Sequence, residues 1–134
     1  MQHERAWTAA EFADMLGAAH TRLTHLPDGF ALWRAVADEA ELLTIAVDPS
    51  SQRQGRGTTL MQMWHRHAAR VAQHAFLEVA DDNAAARALY HKCGYVQIAQ
   101  RAKYYARPNG RTDALILRRD LTRVADSVKQ SYAT

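Results

Sequence analysis

TIAVDPSSQRQGRGTTLMQMW, residues 44–64, changes character at its centre. The first part is apolar and β-branched, as an extended strand requires. The last part carries Leu60 and Trp64 at helical spacing. Between them lie SQRQGRGT, with two glycines and two arginines. A helix start leaves backbone N–H groups unpaired and carries partial positive charge. A strand–glycine–helix joint is therefore a natural anion site. Gly55 and Gly57 have no Cβ to hold a phosphate away from the backbone, and Arg53 and Arg56 add charge. The order of a P-loop and the three-glycine dinucleotide fingerprint are both absent, so the joint is a phosphate cradle of another kind.

The chain around this joint reads as one domain of 134 residues, long enough to bury a core without staples. No apolar run approaches the roughly 18 residues of a spanning helix, and the charged MQHERAW start lacks a signal-peptide core. One cysteine, Cys93, excludes an internal disulfide and suits a reducing, cytoplasmic setting. The net charge of +3 favours an anionic ligand or an RNA-rich particle, and is equally what an ordinary solvated surface carries.

Upstream, WTAAEF (residues 7–12) opens a helix. Thr8 is its N-cap, Glu11 completes a capping box, and Trp7 with Phe12 forms a hydrophobic staple. That helix runs to about Leu16 and ends at Gly17. Residues 29–36 and 41–47 read as an antiparallel hairpin of strands. After the joint a helix is expected to about His74, with Leu60, Trp64, Ala68 and Val71 as its buried stripe. Residues 75–80 (AFLEVA) are a buried strand. Residues 83–93 form a second helix, N-capped by Asn83 and ended by Gly94. Strands over 95–105 and 112–119 join through Pro108-Asn109-Gly110. Residues 1–121 thus make the domain, and 122–134 a polar tail. The alternation of strands and helices gives an α/β or α+β single sheet.

Two segments together resemble a known family. Val47-Asp48-Pro49 followed by Gln52-x-x-Gly55-x-Gly57 resembles the acetyl-CoA loop of the GNAT N-acetyltransferases. Asn83-Ala84-Ala85-Ala86-Arg87-Ala88-Leu89-Tyr90, followed by Gly94-Tyr95, resembles that family's second signature. TIAVDPSSQRQGRG, FLEVADDNAAARALY and Lys103-Tyr104-Tyr105 followed by GRTDALIL look most like its RimI-type branch, which acetylates the N-terminal alanine of a ribosomal protein. The resemblance, over about residues 7–121, implies a mixed, mostly antiparallel sheet flanked by helices. It implies acetyl-CoA as cosubstrate, held by Ile45, Ala46, Val47, Gln52, Arg53, Gln54, Gly55, Arg56, Gly57, Thr58 and Asn83. It implies Glu78 as base, Tyr90 as acid, and Tyr104 and Tyr105 as lining of an acceptor pocket.

The sequence departs from the branch in two places. Trp7 comes almost at once, so the family's usual first strand and helix are expected to be lacking and one sheet edge open. The branch has proline directly after its Tyr-Tyr, whereas Ala106 and Arg107 intervene here before Pro108.

The chemistry asks for a group that takes a proton from the ammonium, donors for the carbonyl oxygen, and a proton for the leaving thiolate. Glu78 suits the first role, although a salt-bridged strand glutamate reads the same in sequence. Backbone N–H groups near Ala46 and Val47 suit the second if the strand bulges or splays there. Tyr90 stays protonated at neutral pH and suits the third. It is turned about 100° from Leu89 on the helix, so it is expected to look toward a site rather than into the core. His65 and His67 fall on different helix faces and no ligand spacing for a metal is present. Cys93 reads as a small core hydrophobe.

Three other readings stay open at this level. The acceptor can be a small amine or a lysine. The chain can be an acyl-CoA binder that has lost activity. It can be a basic RNA-binding or ribosome-associated module using Arg101, Lys103, Arg107, Arg111, Arg118 and Arg119, although the aromatic platform of such modules is missing, so no direct nucleic-acid contact is expected.

Overall fold

A computed structural model describes residues 8–17, 20–52, 54–122 and 124. Its elements are α1 (Ala9–Gly17), β1 (Thr21–Leu26), β2 (Gly29–Val36), β3 (Glu39–Val47), a 3-10 turn (Pro49–Ser51), α2 (Arg56–Ala68), β4 (His74–Ala80), α3 (Ala84–Lys92), β5 (Val96–Arg107) and β6 (Gly110–Asp120). They form one six-stranded sheet in the order β1-β2-β3-β4-β6-β5. Every neighbouring pair is antiparallel except β3 and β4. A parallel pair needs a crossover, and α2 provides it. This is the mixed, mostly antiparallel sheet that the family resemblance implies.

Local chemistry sets the element ends. The Glu11 N–H donates to Thr8 Oγ1 at 3.0 Å and the Thr8 N–H to Glu11 Oε1 at 3.2 Å, which is the expected capping box. Trp7 lies outside the described residues, as does the side chain of Phe12, so the staple stays an expectation. Asn83 accepts from the Ala86 N–H, and Gly94 takes a left-handed φ of 92° after α3. At Gly29 a Cβ would stand 2.7 Å from the Ala46 carbonyl oxygen and 2.9 Å from Leu60 Cδ1. Only glycine lets the start of β2 lie that close to the end of β3 and to α2.

The core lies between α2, α3 and the sheet. Leu60, Met61, Trp64, His65 and Ala68 of α2 are buried, and the Trp64 and Trp33 rings stack with centroids 5.8 Å apart. Ala75, Leu77 and Val79 of β4 point the same way, which turns Phe76 and Glu78 to the other face.

Two readings of the sequence need correction. Helix α2 stops at Ala68 rather than near His74, and Val71 lies beyond it, 42% exposed. Met61 and His65 complete the buried stripe instead. Strand β1 was not foreseen: Thr24 is its one buried residue, and it is polar. Its hydroxyl accepts from Trp33 Nε1 at 3.0 Å and meets His67 Nδ1 at 3.0 Å, partners that only the tertiary fold supplies. Past the sheet, Leu121 is fully buried and Val124 packs against the core.

Candidate active site

The sheet is open at its centre. Strands β3 and β4 pair only at Glu39–His74, Ala40–Ala75 and Glu41–Phe76. Beyond that point β3 continues to Val47 and β4 to Ala80 with no ladder between them. The register of β2 against β3 also jumps, from Leu32↔Thr44 to Trp33↔Leu42, which leaves Leu43 as a bulge. The strands diverge into a wedge. Ile45, Ala46 and Val47 line one wall and Glu78 stands on the other strand. Ile45 is buried in the core, so what it offers the wedge is backbone. The splay that the Ala46–Val47 donors required is therefore present.

The glycine joint follows the end of β3, at the wide end of the wedge. Asp48 accepts from the Ser50 N–H and hydroxyl and holds the 3-10 turn. Gln52 Nε2 donates to the Val47 carbonyl at 3.2 Å, folding the loop back onto the end of β3. Gly55 is the N-cap of α2 with a left-handed φ of 75° and no side-chain cap. Gln54, Gly55 and Arg56 are exposed, and Gly57 and Thr58 half-buried. The uncapped first turn of a 13-residue helix thus presents amide donors beside the wedge. Gly57 faces α3, since a Cβ there would lie 3.4 Å from Leu89 Cδ2.

One loop arginine departs from the expectation. Arg56 Nε is paired with Asp28 Oδ2 at 3.0 Å, so part of its charge is neutralised at the β1–β2 turn. Arg53 lies outside the described residues.

Glu78 is half-buried on β4, and Tyr105 donates its hydroxyl to Glu78 Oε1 at 3.2 Å. Tyr104 is exposed and meets Tyr105 edge to face at 5.1 Å. The structure thus joins two residues to which the family resemblance gives separate roles. Asn83 lies in the loop between β4 and α3 and is the N-cap of α3. Its oxygen serves the α3 cap, so it offers a ligand its amide nitrogen.

Tyr90 does not look outward. It is 1% exposed and meets Tyr95 edge to face at 6.1 Å. The turn at Gly94 brings Tyr95 back under α3, and Leu89 and Cys93 are the partly buried flank instead. Burial above all, then the neighbouring Cys93 and Tyr105, pushes the Tyr90 phenol above its ordinary pKa. It keeps its proton at neutral pH.

The cations of the hairpin are largely engaged. Arg107 grips Asp82 with two bonds, at 2.7 and 2.8 Å, tying the hairpin tip to the loop before α3. Arg111 donates to the carbonyls of Lys103 and Tyr104, and Arg119 to that of Cys93. These braces, with Asp113, were missed in the sequence. The one signal for them was the altered spacing after Tyr104-Tyr105.

No described helix is long and apolar enough to cross a membrane. Comparison with known proteins agrees with the geometry. The model of the acetyltransferase (GNAT) family matches residues 4–95. The chain is 37% identical over 120 residues to the [ribosomal protein bS18]-alanine N-acetyltransferase of Escherichia coli K12, covering 86% of this chain and 81% of that protein. It is 32% identical over 121 residues to the enzyme of the same name from Haemophilus ducreyi, covering 86% and 83%. The crystal structure of the E. coli enzyme superimposes with a TM-score of 0.80 at 34% identity, over 89% of this chain and 80% of that one. The wedge, the uncapped glycine joint and the Asn83-to-Tyr95 segment are thus the parts of a shared scaffold, and the chain belongs to the GNAT family of acetyltransferases.

Proposed function

We propose that this protein acetylates the N-terminal α-amino group of a protein, an alanine of a ribosomal protein, in the cytoplasm. The observation that carries this reading is the placement of Glu78. It stands on the strand beyond the splay, half-buried, and bonded by a tyrosine of the outer hairpin. The relatives named for bS18-alanine acetylation supply the acceptor.

Acetyl-CoA would bring the thioester. The first-turn amides of α2 suit its phosphates, and the wedge between β3 and β4 suits an extended arm. Amides at the end of β3, near Ala46 and Val47, would hold the carbonyl oxygen. Glu78 takes the proton that the ammonium must lose, directly or through one water. The nitrogen lone pair then forms the amide bond as the C–S bond breaks, and the sulfur leaves with the electron pair. In this reading Tyr90 donates to that sulfur. A phenol held above its ordinary pKa yields its proton reluctantly, so its first contribution is a hydrogen bond to the developing thiolate.

The test uses two peptides with acetyl-CoA and mass spectrometry. One begins with free alanine and has blocked lysines. The other has a blocked N-terminus and free lysines. The first should be acetylated. Preference for the second overturns the acceptor assignment and moves the chain to the lysine or small-amine branch of the family.

A further inference from the structure

We propose that Asp113, together with Arg111, is a positioning residue for the acceptor site: the two hold a bulge in β5 that sets the Tyr105 hydroxyl on Glu78. This rests on the reading of Glu78 and Tyr105 as the acceptor side.

The register shows the need for such a brace. Strand β5 pairs with β6 at Arg101↔Ala114 and next at Tyr105↔Thr112. Ala102, Lys103 and Tyr104 therefore stand opposite Asp113 alone. A bulge bends its strand and sharpens its twist. Some such bend is required here. Glu78 pairs with Ile116, and Tyr105 pairs with Thr112, on a strand that is not adjacent to β4. A straight β5 would carry the phenol away from Glu78.

The bulge is strained and leaves backbone groups off the ladder. Lys103 has φ of 52°. The other positive-φ residues with side chains, His20 and Ala37, lie in turns, whereas Lys103 is within a strand. Such a conformation persists when its surroundings over-determine it. Asp113 Oδ1 accepts the Lys103 N–H at 2.8 Å, and its other oxygen accepts from Gln100 Nε2. Arg111 Nε donates to the Lys103 carbonyl at 2.6 Å, and Nη2 to the Tyr104 carbonyl at 2.9 Å. Two β6 side chains thus replace the missing ladder bonds. The Asp113 backbone carbonyl also accepts the Asp81 N–H at 2.9 Å, which joins the brace to the loop behind Glu78. The Lys103 N–H first, then Gln100, hold the Asp113 carboxyl below its ordinary pKa, so it remains an acceptor at neutral pH.

The test is a double-mutant cycle on kcat/KM for an alanine-initiated peptide, with acetyl-CoA KM measured beside it. Asp113→Ala should lower peptide kcat/KM by about tenfold to a hundredfold, as small misplacements near chemistry do. Asp113→Asn should recover most of that, because its amide oxygen still accepts the Lys103 N–H. In a Tyr105→Phe background the Asp113→Ala cost should shrink to less than about twofold, since the group it positions is gone. Arg111→Lys, which keeps the charge and loses the fork, gives a second cycle if Asp113→Ala folds poorly. Equal cost in both backgrounds, or a matching rise in acetyl-CoA KM, overturns the proposal. Glu78→Gln is assayed alongside. If it keeps full turnover while the cycle closes as expected, the base assignment fails and the positioning role stands. If it is inactive and the cycle is additive, the positioning role fails.

Discussion

The Tyr105 hydroxyl lies 3.2 Å from Glu78 Oε1, so the half-buried carboxylate on the central strand is oriented by a side chain from the edge strand. Both residues belong to one wing of the opened sheet, β4-β6-β5, and the other wing is β1-β2-β3. The wing with the glycine joint presents amides, and the wing with the hairpin presents a carboxylate and two phenols. A thioester arriving through the first wing and an amine through the second would meet beside Glu78. This division assigns distinct kinetic effects to changes on each side.

On the cofactor side, Gly55→Val is expected to weaken acetyl-CoA binding. Gly55 has open space around it, so no clash with protein arises. Its φ of 75° is the obstacle, because a β-branched residue resists the left-handed region. The loop must then rearrange and the first-turn amides of α2 shift with it. Gly57→Val instead crowds Leu89, 3.4 Å from the new Cβ. Calorimetry should show a loss of affinity in a folded Gly55→Val protein, and unchanged affinity would remove the loop from the cofactor site.

Tyr90→Phe is expected to slow turnover by about two to four orders of magnitude if the phenol serves the leaving sulfur, the range of positioned acid–base groups. Because Tyr90 is buried among core residues, thermal melting must be measured beside activity. A variant that melts normally and turns over normally leaves Tyr90 as a core residue only.

Much of this arrangement was readable because it depends on neighbours in sequence. The capping box at Thr8 and Glu11, the Asn83 cap and the glycine joint are each decided within a few residues. The missed features depend on distant partners. Thr24 is buried on β1 because Trp33 and His67 satisfy it. The direction of Tyr90 is set by the turn at Gly94 and by Tyr95. Asp113 reads as an ordinary polar strand residue until the register places three residues of β5 against it. Arg56, Arg107 and Arg111 read as free charge for an anion or RNA, whereas the fold turns each onto a carboxylate or carbonyl.

A buried histidine gives the fold a defined acid weakness. His65 is 2% exposed, and burial first, then Arg119, lowers its pKa from 6.5 to about 3. Arg119 Nη1 faces its Nδ1, so Nε2 carries the proton and donates to the Tyr95 hydroxyl at 2.7 Å. The folded pKa lies below the unfolded one, so the unfolded chain binds the extra proton. The stability held above about pH 6.5 is lost as pH falls toward about 3, at up to about 1.4 kcal/mol per pH unit. Urea midpoints between about pH 7 and about pH 4 should fall less steeply for His65→Gln than for the native chain. Parallel slopes would contradict this account.

The sharpest test of Glu78 is the pH dependence of its loss. Glu78→Gln should slow acetyl transfer by about two to four orders of magnitude near neutral pH and leave acetyl-CoA affinity nearly unchanged. An α-amine has an ordinary pKa of about 7.7 to 8.0. The native site can take the ammonium form and remove its proton. The glutamine variant can use only acceptor that is already neutral. Its rate should climb about tenfold per pH unit below that pKa and level off above it, so its deficit should narrow between about pH 6.5 and about pH 9. A deficit that stays constant with pH would mean that Glu78 shapes the pocket without receiving the proton. The same curve identifies the amine. A lysine acceptor, with a pKa of about 10.4, would move the levelling point up by two to three units, beyond the range in which an α-amine has already reached its plateau.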